Sequence, residues 1–324
     1  MSGKQVRLFL VDGTPGGLMT AEIMNWTGHV LKGKREKLAE IRNRPEARRT
    51  GVYLLLGEDE GQGGRVAYIG QSDDVSNRLV QHDAKKDFWD EVVVVTSKDT
   101  NLTSAHVRYL ESRLIRLAKA IGRVPLINGN EPSGGADLPE ADASDMDYFI
   151  EQVRILLPVL GVDIFRGRTQ HPAPSAPVAA PVADLPSTEV SPVFLLTNRR
   201  MGVEARAQVL DGEFTVLEGS VIAGSMVLKD SSSESTVRQF AARSAIHEKV
   251  LAEAGTGAPG RTVRLTKDFV FTSPSAAAAV VQGHATANGR VAWVTADGVT
   301  FAAWETRGVS SPAPAPIVGD PADS

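Results

Sequence analysis

Cysteine is absent from this chain of 324 residues. Its absence excludes disulfide bonds, zinc sites with thiolate ligands and catalytic cysteines. Aromatic residues are sparse, at 6%, whereas the hydrophobic fraction of 42% is typical of ordinary folded domains. The length therefore allows two or three domains that rely on hydrophobic cores alone. A chain without cysteine also suits a reducing compartment, and we expect a cytoplasmic protein.

Long hydrophobic runs are missing as well. No stretch approaches the roughly 18 consecutive apolar residues that a membrane-spanning helix needs. The first residues, MSGKQVRLFLVDG, contain one short apolar stretch that Asp12 interrupts. We therefore expect neither a signal peptide nor a membrane partner. The sequence does not indicate an oligomeric state.

A strong excess of charge of one sign is also lacking, since the formal net charge is −4. The molecule is thus no uniformly basic nucleic-acid coat, but two segments are locally basic. Residues 32–49 carry eight Lys/Arg against three Glu, and residues 103–123 carry five against one. Such segments favour binding to a polyanion partner, although solvated helix faces would explain them equally well. The candidate phosphate contacts are Lys34, Arg35, Arg48, Arg49 and Arg108.

The first part of the chain predicts strands followed by a basic helix. An apolar run at residues 6–11 and the stretch 18–23 read as two strands joined by the turn DGTPGG. Residues 32–49 read as one helix around Leu38 and Ile41, which Pro45 interrupts or ends. We count residues 1–49 as an N-terminal extension that packs on the next domain.

Two short apolar strands with one tyrosine each flank a glycine-rich acidic turn in residues 50–70. A helix capped by Ser72 or Asp73 should follow, with Arg78 and His82 four residues apart on one face. The apolar run 92–95 predicts a central strand.

A long helix is predicted from Thr103 or Ser104 to Ile121, ending before Gly122. Glu111 lies within or beside its apolar stripe. A lone carboxylate there is costly to bury unless it binds a metal or pairs, for example with Arg108 three residues away. Asn128 follows after a short loop, where it could simply cap that loop.

The second half of the chain indicates another domain. Residues 169–192 are rich in Pro and Ala and read as a linker. Residues 193–308 read as a small α+β domain, with strands, a helix near 236–253, a helix after Ser273-Pro274 and a closing hairpin at residues 290–304. Residues 309–324 read as a disordered tail.

The ordered residues of the first domain resemble the GIY-YIG nuclease family. GVY at residues 51–53 stands where the family has GIY, and YIG is intact at residues 68–70. The matching positions are Tyr53, Tyr68, Arg78, His82, Glu111 and Asn128. The resemblance covers about residues 50–130 and predicts a nuclease domain over residues 50–168. Its fold class would be α/β (α+β), with a small, mainly antiparallel three-stranded sheet flanked by helices.

The resemblance implies a metal-dependent endonuclease that hydrolyses phosphodiester bonds in DNA, with RNA not excluded. Glu111 would hold Mg²⁺ or Mn²⁺, because hard cations prefer oxygen ligands. Arg78 would bind the scissile phosphate. Tyr53 is the favoured general base, with Tyr68 and His82 sharing or orienting the proton, provided that nearby charge lowers the tyrosine pKa. Asn128 would brace the site.

A second function from another class fits the same residues. The first domain could be a non-cleaving nucleic-acid-binding or adaptor module that keeps the nuclease fold. The second domain resembles a family of unknown function, DUF4357, through the stretch FVFTSPSAAA at residues 269–278 and the positions Gly283, Trp293 and Gly298. That resemblance implies no chemistry.

Overall fold

The computed structural model describes residues 3–59, 64–128, 138–168, 191–228, 234–254 and 261–307. The chain divides into two compact units, Met1–Val178 and Ala179–Ser324. Both mix helices with an antiparallel sheet. The predicted linker, apart from residues 191 and 192, lies outside the described ranges, as does the predicted tail.

The first unit is built on a six-stranded sheet in the order β1-β2-β3-β6-β4-β5. Its strands are β1 Val6–Leu10, β2 Met19–Ile23, β3 Gly28–Lys34, β4 Gly51–Glu58, β5 Arg65–Ser72 and β6 Trp89–Ser97. Its helices are α1 Leu38–Asn43, α2 Val75–Asp83, α3 Ser104–Ile121 and α4 Glu140–Val159.

The central strands are apolar on both faces because each face of the sheet has its own core. Val52 and Leu54 of β4 face the core shared with α3 and α4. Tyr53 and Leu55 face a second core with residues of α1 and α2. The run Val92–Val95 is buried throughout and pairs with β3 on one side and β4 on the other, which confirms the predicted central strand.

The predicted three-stranded sheet needs correction. Strands β4, β5 and β6 do form an antiparallel group, but β1, β2 and β3 continue the same sheet. The hairpin of β1 and β2 was predicted from its apolar runs, whereas β3 was not, since its sequence GHVLKGK contains two glycines and two lysines. Tertiary pairing with β6 along all seven residues outweighs this weak strand propensity.

The single basic helix predicted for residues 32–49 is also wrong. Strand β3 extends to Lys34, a 3₁₀ turn covers Arg35–Lys37, and α1 is only six residues long. A second 3₁₀ turn, Pro45–Arg48, follows because proline begins a new helical turn but cannot continue the previous one. The basic side chains of this segment therefore do not share one helical face.

The second unit has its own sheet and core. Its main sheet runs β11-β10-β8-β9-β12, and β7 pairs with β8 off that path. The strands are β7 Phe194–Asn198, β8 Val203–Leu210, β9 Glu213–Val216, β10 Val221–Ala223, β11 Thr262–Arg264 and β12 Phe269–Phe271. The helices are α5 Glu234–Ala254, α6 Pro274–Gln282, α7 Gly289–Ala292 and α8 Phe301–Glu305.

The hairpin predicted for residues 290–304 is replaced by the short helices α7 and α8. One antiparallel bridge between Val294 and Thr300 is its nearest equivalent. Trp293 and Phe301 are buried and both contact Phe214, with ring centroids 5.3 Å away in each case. Packing of these rings into one core decides the local structure, against the alternating pattern of the sequence.

Other predictions hold. Ser273 caps α6, with Pro274 in its first turn. Helix α3 begins after Thr103 and ends at Gly122, which has the left-handed backbone conformation expected of a helix end. None of the helices in the described ranges is long and apolar enough to cross a bilayer.

Candidate active site

Strands β4 and β5 bring the two tyrosines onto one face of the sheet. Tyr53 pairs with Gly70, and Leu55 pairs with Tyr68, so the tyrosines are diagonal neighbours. Their ring centroids are 6.3 Å apart. Tyr53 has no exposed surface, whereas Tyr68 is half-buried.

Gly70 makes room for the Tyr53 hydroxyl. A Cβ atom at this position would lie 2.3 Å from Tyr53 Oη and 2.5 Å from Cζ. Both distances are far shorter than a van der Waals contact, so any larger residue would push the ring away. The glycine of the YIG segment thus has a packing reason, because it lies in strand β5 directly opposite Tyr53.

Helix α2 supplies His82 and Arg78. Its N-cap is Asp74, whose carboxylate accepts from Asn77 N at 3.1 Å, rather than the predicted Ser72 or Asp73. His82 is buried, and its Nε2 lies 2.7 Å from Tyr53 Oη. The His82 ring is also 5.1 Å from the ring of Tyr68, so one imidazole contacts both tyrosines.

Arg78 is exposed on the same helix, one turn before His82. Its guanidinium donates to Gln81 Oε1 at 2.8 Å. The hydroxyl of Tyr53, and more weakly that of Tyr68, raises the pKa of Arg78 above its ordinary value. An exposed cation beside two hydroxyls leaves most of its five N–H donors available for a ligand.

The Tyr53–His82 pair is electrically neutral at pH 7. Burial raises the pKa of Tyr53 above its ordinary value, and the neighbouring Tyr68 adds to the effect. Burial also lowers the pKa of His82 to about 4, helped by the positive charges of Arg78, Lys86 and Lys85. A role for Tyr53 as general base was expected only if nearby charge lowered its pKa. The surrounding protein groups alone do not lower it.

Glu111 projects from α3, which packs against β5. Its carboxylate is half-buried, and burial raises its pKa while the charge of Arg78 opposes the shift. The charge of Glu111 also contributes to the raised pKa of Tyr53. Among the described residues no hydrogen bond or ion pair engages this carboxylate, so the alternative pairing with Arg108 is not formed.

Asn128 braces the outer edge of β5. Its Oδ1 accepts from Ile69 N at 3.0 Å, and its Nδ2 donates to Ile69 O at 2.7 Å. The preceding residues run parallel to β5, with Ile127 N donating to Ala67 O at 2.9 Å. The side chain thus replaces a strand partner beside Tyr68, which is more than the capping of a loop.

Lys86 was not among the predicted site residues. Its Nζ lies 4.5 Å from the ring centroid of Tyr68, a cation–π contact. Its charge also contributes to the low pKa of His82. The sequence signal was the pair Lys85-Lys86 directly after the helix that carries His82.

The five candidate phosphate contacts have different environments. Arg35 donates to Asp83 Oδ1 at 2.7 Å and stacks on Trp89, which gives it a structural role. Arg49 donates to Ser97 O at 2.7 Å, and Lys34 is 3.5 Å from Glu91. Arg48 is exposed beside a cleft lined also by Arg42 and Asn77. Arg108 is exposed on α3.

The residues present fit a hydrated Mg²⁺ or Mn²⁺ ion. Glu111 provides one oxygen donor that no protein cation neutralises by direct contact among the described residues. No group of three or more His, Cys, Asp or Glu side chains in the described ranges could hold a metal. An ion at Glu111 would thus keep most of its water ligands, as Mg²⁺ commonly does.

Comparison with known proteins finds a family match for the second unit only. Residues 194–305 match the family model described as Domain of unknown function (DUF4357). The match covers roughly a third of the chain and confirms the resemblance of that unit. No curated protein and no solved structure matches the chain.

Proposed function

We propose that the first unit is a metal-dependent endonuclease of the GIY-YIG type that hydrolyses phosphodiester bonds in nucleic acid, with DNA as its substrate. The observation that carries the proposal is the 2.7 Å contact between Tyr53 Oη and His82 Nε2, with Tyr68 and Arg78 around it. A tyrosine–histidine pair next to an exposed guanidinium and an unpaired carboxylate combines proton transfer with phosphate binding.

Arg78 binds the scissile phosphate in this proposal. It is exposed, permanently charged and already close to both hydroxyls, so it can offer a planar fork to two phosphate oxygens. Glu111 holds Mg²⁺ or Mn²⁺, which when bound would neutralise charge that develops on the phosphate and the leaving oxygen. The hydrolysis adds water to phosphorus and breaks the bond to the leaving oxygen.

The two tyrosines have different roles in this proposal. Tyr68 is half-exposed and can contact the attacking water or the phosphate, whereas Tyr53 has no exposed surface. Tyr53 then holds the neutral imidazole of His82 in place and shares a proton with it, since Oη and Nε2 are within hydrogen-bond distance. The burial of Tyr53 weighs against the expected role of this residue as the group that touches the water.

Cleavage of supercoiled plasmid with Mg²⁺ or Mn²⁺ tests the proposal. Glu111→Gln removes the charge but keeps the shape, and we expect it to slow nicking by about a hundredfold or more. Glu36→Gln is the matched control, because Glu36 is an exposed carboxylate of the same unit. The proposal fails if the wild type, on a panel of DNA and RNA substrates, cleaves no faster than Glu111→Gln.

A non-cleaving nucleic-acid-binding or adaptor protein is the second candidate. The observation that favours it is the burial of both Tyr53 and His82, since a binding module needs no exposed proton acceptor. Salt-dependent binding of duplex DNA by both the wild type and Glu111→Gln, without products from either, would support this candidate.

A further inference from the structure

The second unit carries five exposed arginines on or directly beside strands β7, β8 and β11. They are Arg199, Arg200, Arg206, Arg261 and Arg264. Within the described residues none of them forms an ion pair with a carboxylate. We define these five residues as the arginine surface. Unpaired arginines at this density are unusual on a surface where charges of both signs normally mix.

The strand register puts Arg206 and Arg264 on one face of the sheet, whereas Arg199, Arg200 and Arg261 lie just outside the strand ends. Glu204 of β8 pairs with Val221 of β10, which pairs with Arg264 of β11, so these three side chains point the same way. Arg206 lies two residues after Glu204 on β8 and therefore shares its face. Glu204 is the one carboxylate that β8, β10 and β11 contribute.

Contacts with backbone carbonyls hold three of the guanidinium groups. Arg206 Nη2 donates to Glu218 O at 3.2 Å, and Arg264 Nη1 donates to Gly219 O at 2.7 Å. Arg261 Nη2 donates to Arg200 O at 2.6 Å, which ties the turn between β7 and β8 to the start of β11. Each bond uses one of five donors and leaves the charge uncompensated.

The dimensions fit a phosphodiester backbone. Along the strands the arginine surface runs from the level of Arg261 to that of Arg206, a distance of ~17 Å at 3.3 Å per residue. Phosphates of one nucleic-acid strand repeat every ~3.4 Å along the duplex axis, so several lie within this length. Fixed, planar and permanently charged guanidinium groups are suited to phosphate oxygens.

We infer that the arginine surface binds the sugar-phosphate backbone of the nucleic acid that the first unit acts on. The inference rests on the proposed function, because it takes nucleic acid as the substrate. Backbone contacts position a protein without reading sequence, so the second unit would add affinity and orientation rather than a recognition site. This would assign a role to a domain for which the family match implies none.

Duplex binding by the full chain, measured by fluorescence anisotropy in EDTA, tests the inference without any cleavage. Arg199→Gln with Arg200→Gln is the safest variant, because neither side chain has a hydrogen bond to a described residue. Arg206→Gln with Arg264→Gln tests the other end of the surface. Each double variant should weaken binding roughly tenfold to sixtyfold at 0.1 M salt and reduce the slope of log K against log salt by about 2.

Lys249→Gln with Arg290→Gln is the matched control, since it removes two positive charges of the same unit from α5 and α7. Thermal unfolding of every variant shows whether the fold is kept. The inference is overturned if both arginine variants bind duplex as the control does, or if the wild type binds anionic lipid vesicles instead of duplex. Arginine-dependent binding by a protein that never cleaves would sustain the inference while the proposed nuclease fails.

Discussion

Tyr53 and His82 are the residues whose chemistry depends most on their surroundings. In water a histidine is partly protonated near pH 6.5. Here burial and three neighbouring cations keep the imidazole neutral, and one of these cations, Arg78, lies one turn earlier on the same helix. A neutral Nε2 at 2.7 Å from a phenol can accept its proton, which an imidazolium could not. Basic residues around the site thus favour the unprotonated imidazole, and they also suit the phosphate binding that we propose.

This arrangement predicts a histidine with an unusually low pKa. In an NMR titration, the imidazole signal that disappears in His82→Gln should titrate near pH 4 rather than near 6.5. The unfolded chain binds the proton of His82 more readily than the folded chain does. The contribution of His82 to the free energy of unfolding is therefore fully present above pH 6.5 and is lost as the pH falls toward 4. The expected loss is on the order of 2 kcal/mol.

Urea unfolding at pH 7 and pH 5 checks the stability part of this prediction. The wild type should lose more stability than His82→Gln between the two pH values, because the variant lacks the group that titrates. His106, a half-buried histidine in the first turn of α3, offers a comparison through His106→Gln. An imidazole of His82 that titrates at its ordinary pH would contradict the neutral pair.

The element that shapes the site most directly is the edge strand β5. Its outer edge is covered by residues 125–128, which run parallel to it through the bridge between Ala67 and Leu126. Asn128 ends this short pairing with two hydrogen bonds to the backbone of Ile69. Since Ile69 lies between Tyr68 and Gly70, the amide determines the position of the tyrosine that faces solvent.

Asn128→Ala should therefore loosen the edge of the sheet. The substitution leaves the N–H and C=O groups of Ile69 without their partner, at a cost of about 1–3 kcal/mol. Hydrogen exchange of the Ile69 amide should accelerate roughly tenfold to a hundredfold. Asn101→Ala is a suitable control, because among the described residues the side-chain amide of Asn101 bonds only the carboxylate of Asp99, at 3.0 Å. Unchanged exchange at Ile69 would show that the brace is dispensable.

At the scale of the whole molecule, residues 6–34 supply three of the six strands of the first unit's sheet. Strand β3 pairs with β6 from Gly28 to Lys34, and Val30 and Ile41 are buried in the two cores. A chain without these residues would expose one edge of β6 and a large apolar surface on each face. The sheet that carries the site therefore depends on residues that precede the tyrosines.

Deletion of residues 1–49 should thus abolish cooperative folding of the first unit. We expect loss of near-ultraviolet circular dichroism from Trp89 and binding of a hydrophobic dye, as in a molten globule. Deletion of residues 1–10 is the control, since β1 is an edge strand with Leu8 and Phe9 exposed at 48% and 60%. A cooperative transition in the longer deletion would refute the prediction.

Local patterns in the sequence were sufficient to predict several elements. The β4 and β5 hairpin, the central β6, the capped α3 and the Ser-Pro start of α6 all follow from hydrophobic runs and capping residues, and the structure confirms them. The resemblance to the GIY-YIG nuclease family also implied that Tyr53, Tyr68, Arg78 and His82 would form one site. Short-range signals suffice where an element's own residues decide its conformation.

Tertiary structure decided the elements and protonation states that these local signals could not predict. Strand β3 exists because β6 offers a partner, and α7 and α8 exist because Trp293 and Phe301 pack in one core. The protonation states of Tyr53 and His82 depend on burial, which is a property of the folded chain. The sequence by itself determined which chemical groups the protein possesses. Packing decided which of them lie in solvent and which are buried, because desolvation and strand pairing arise only between distant parts of the chain.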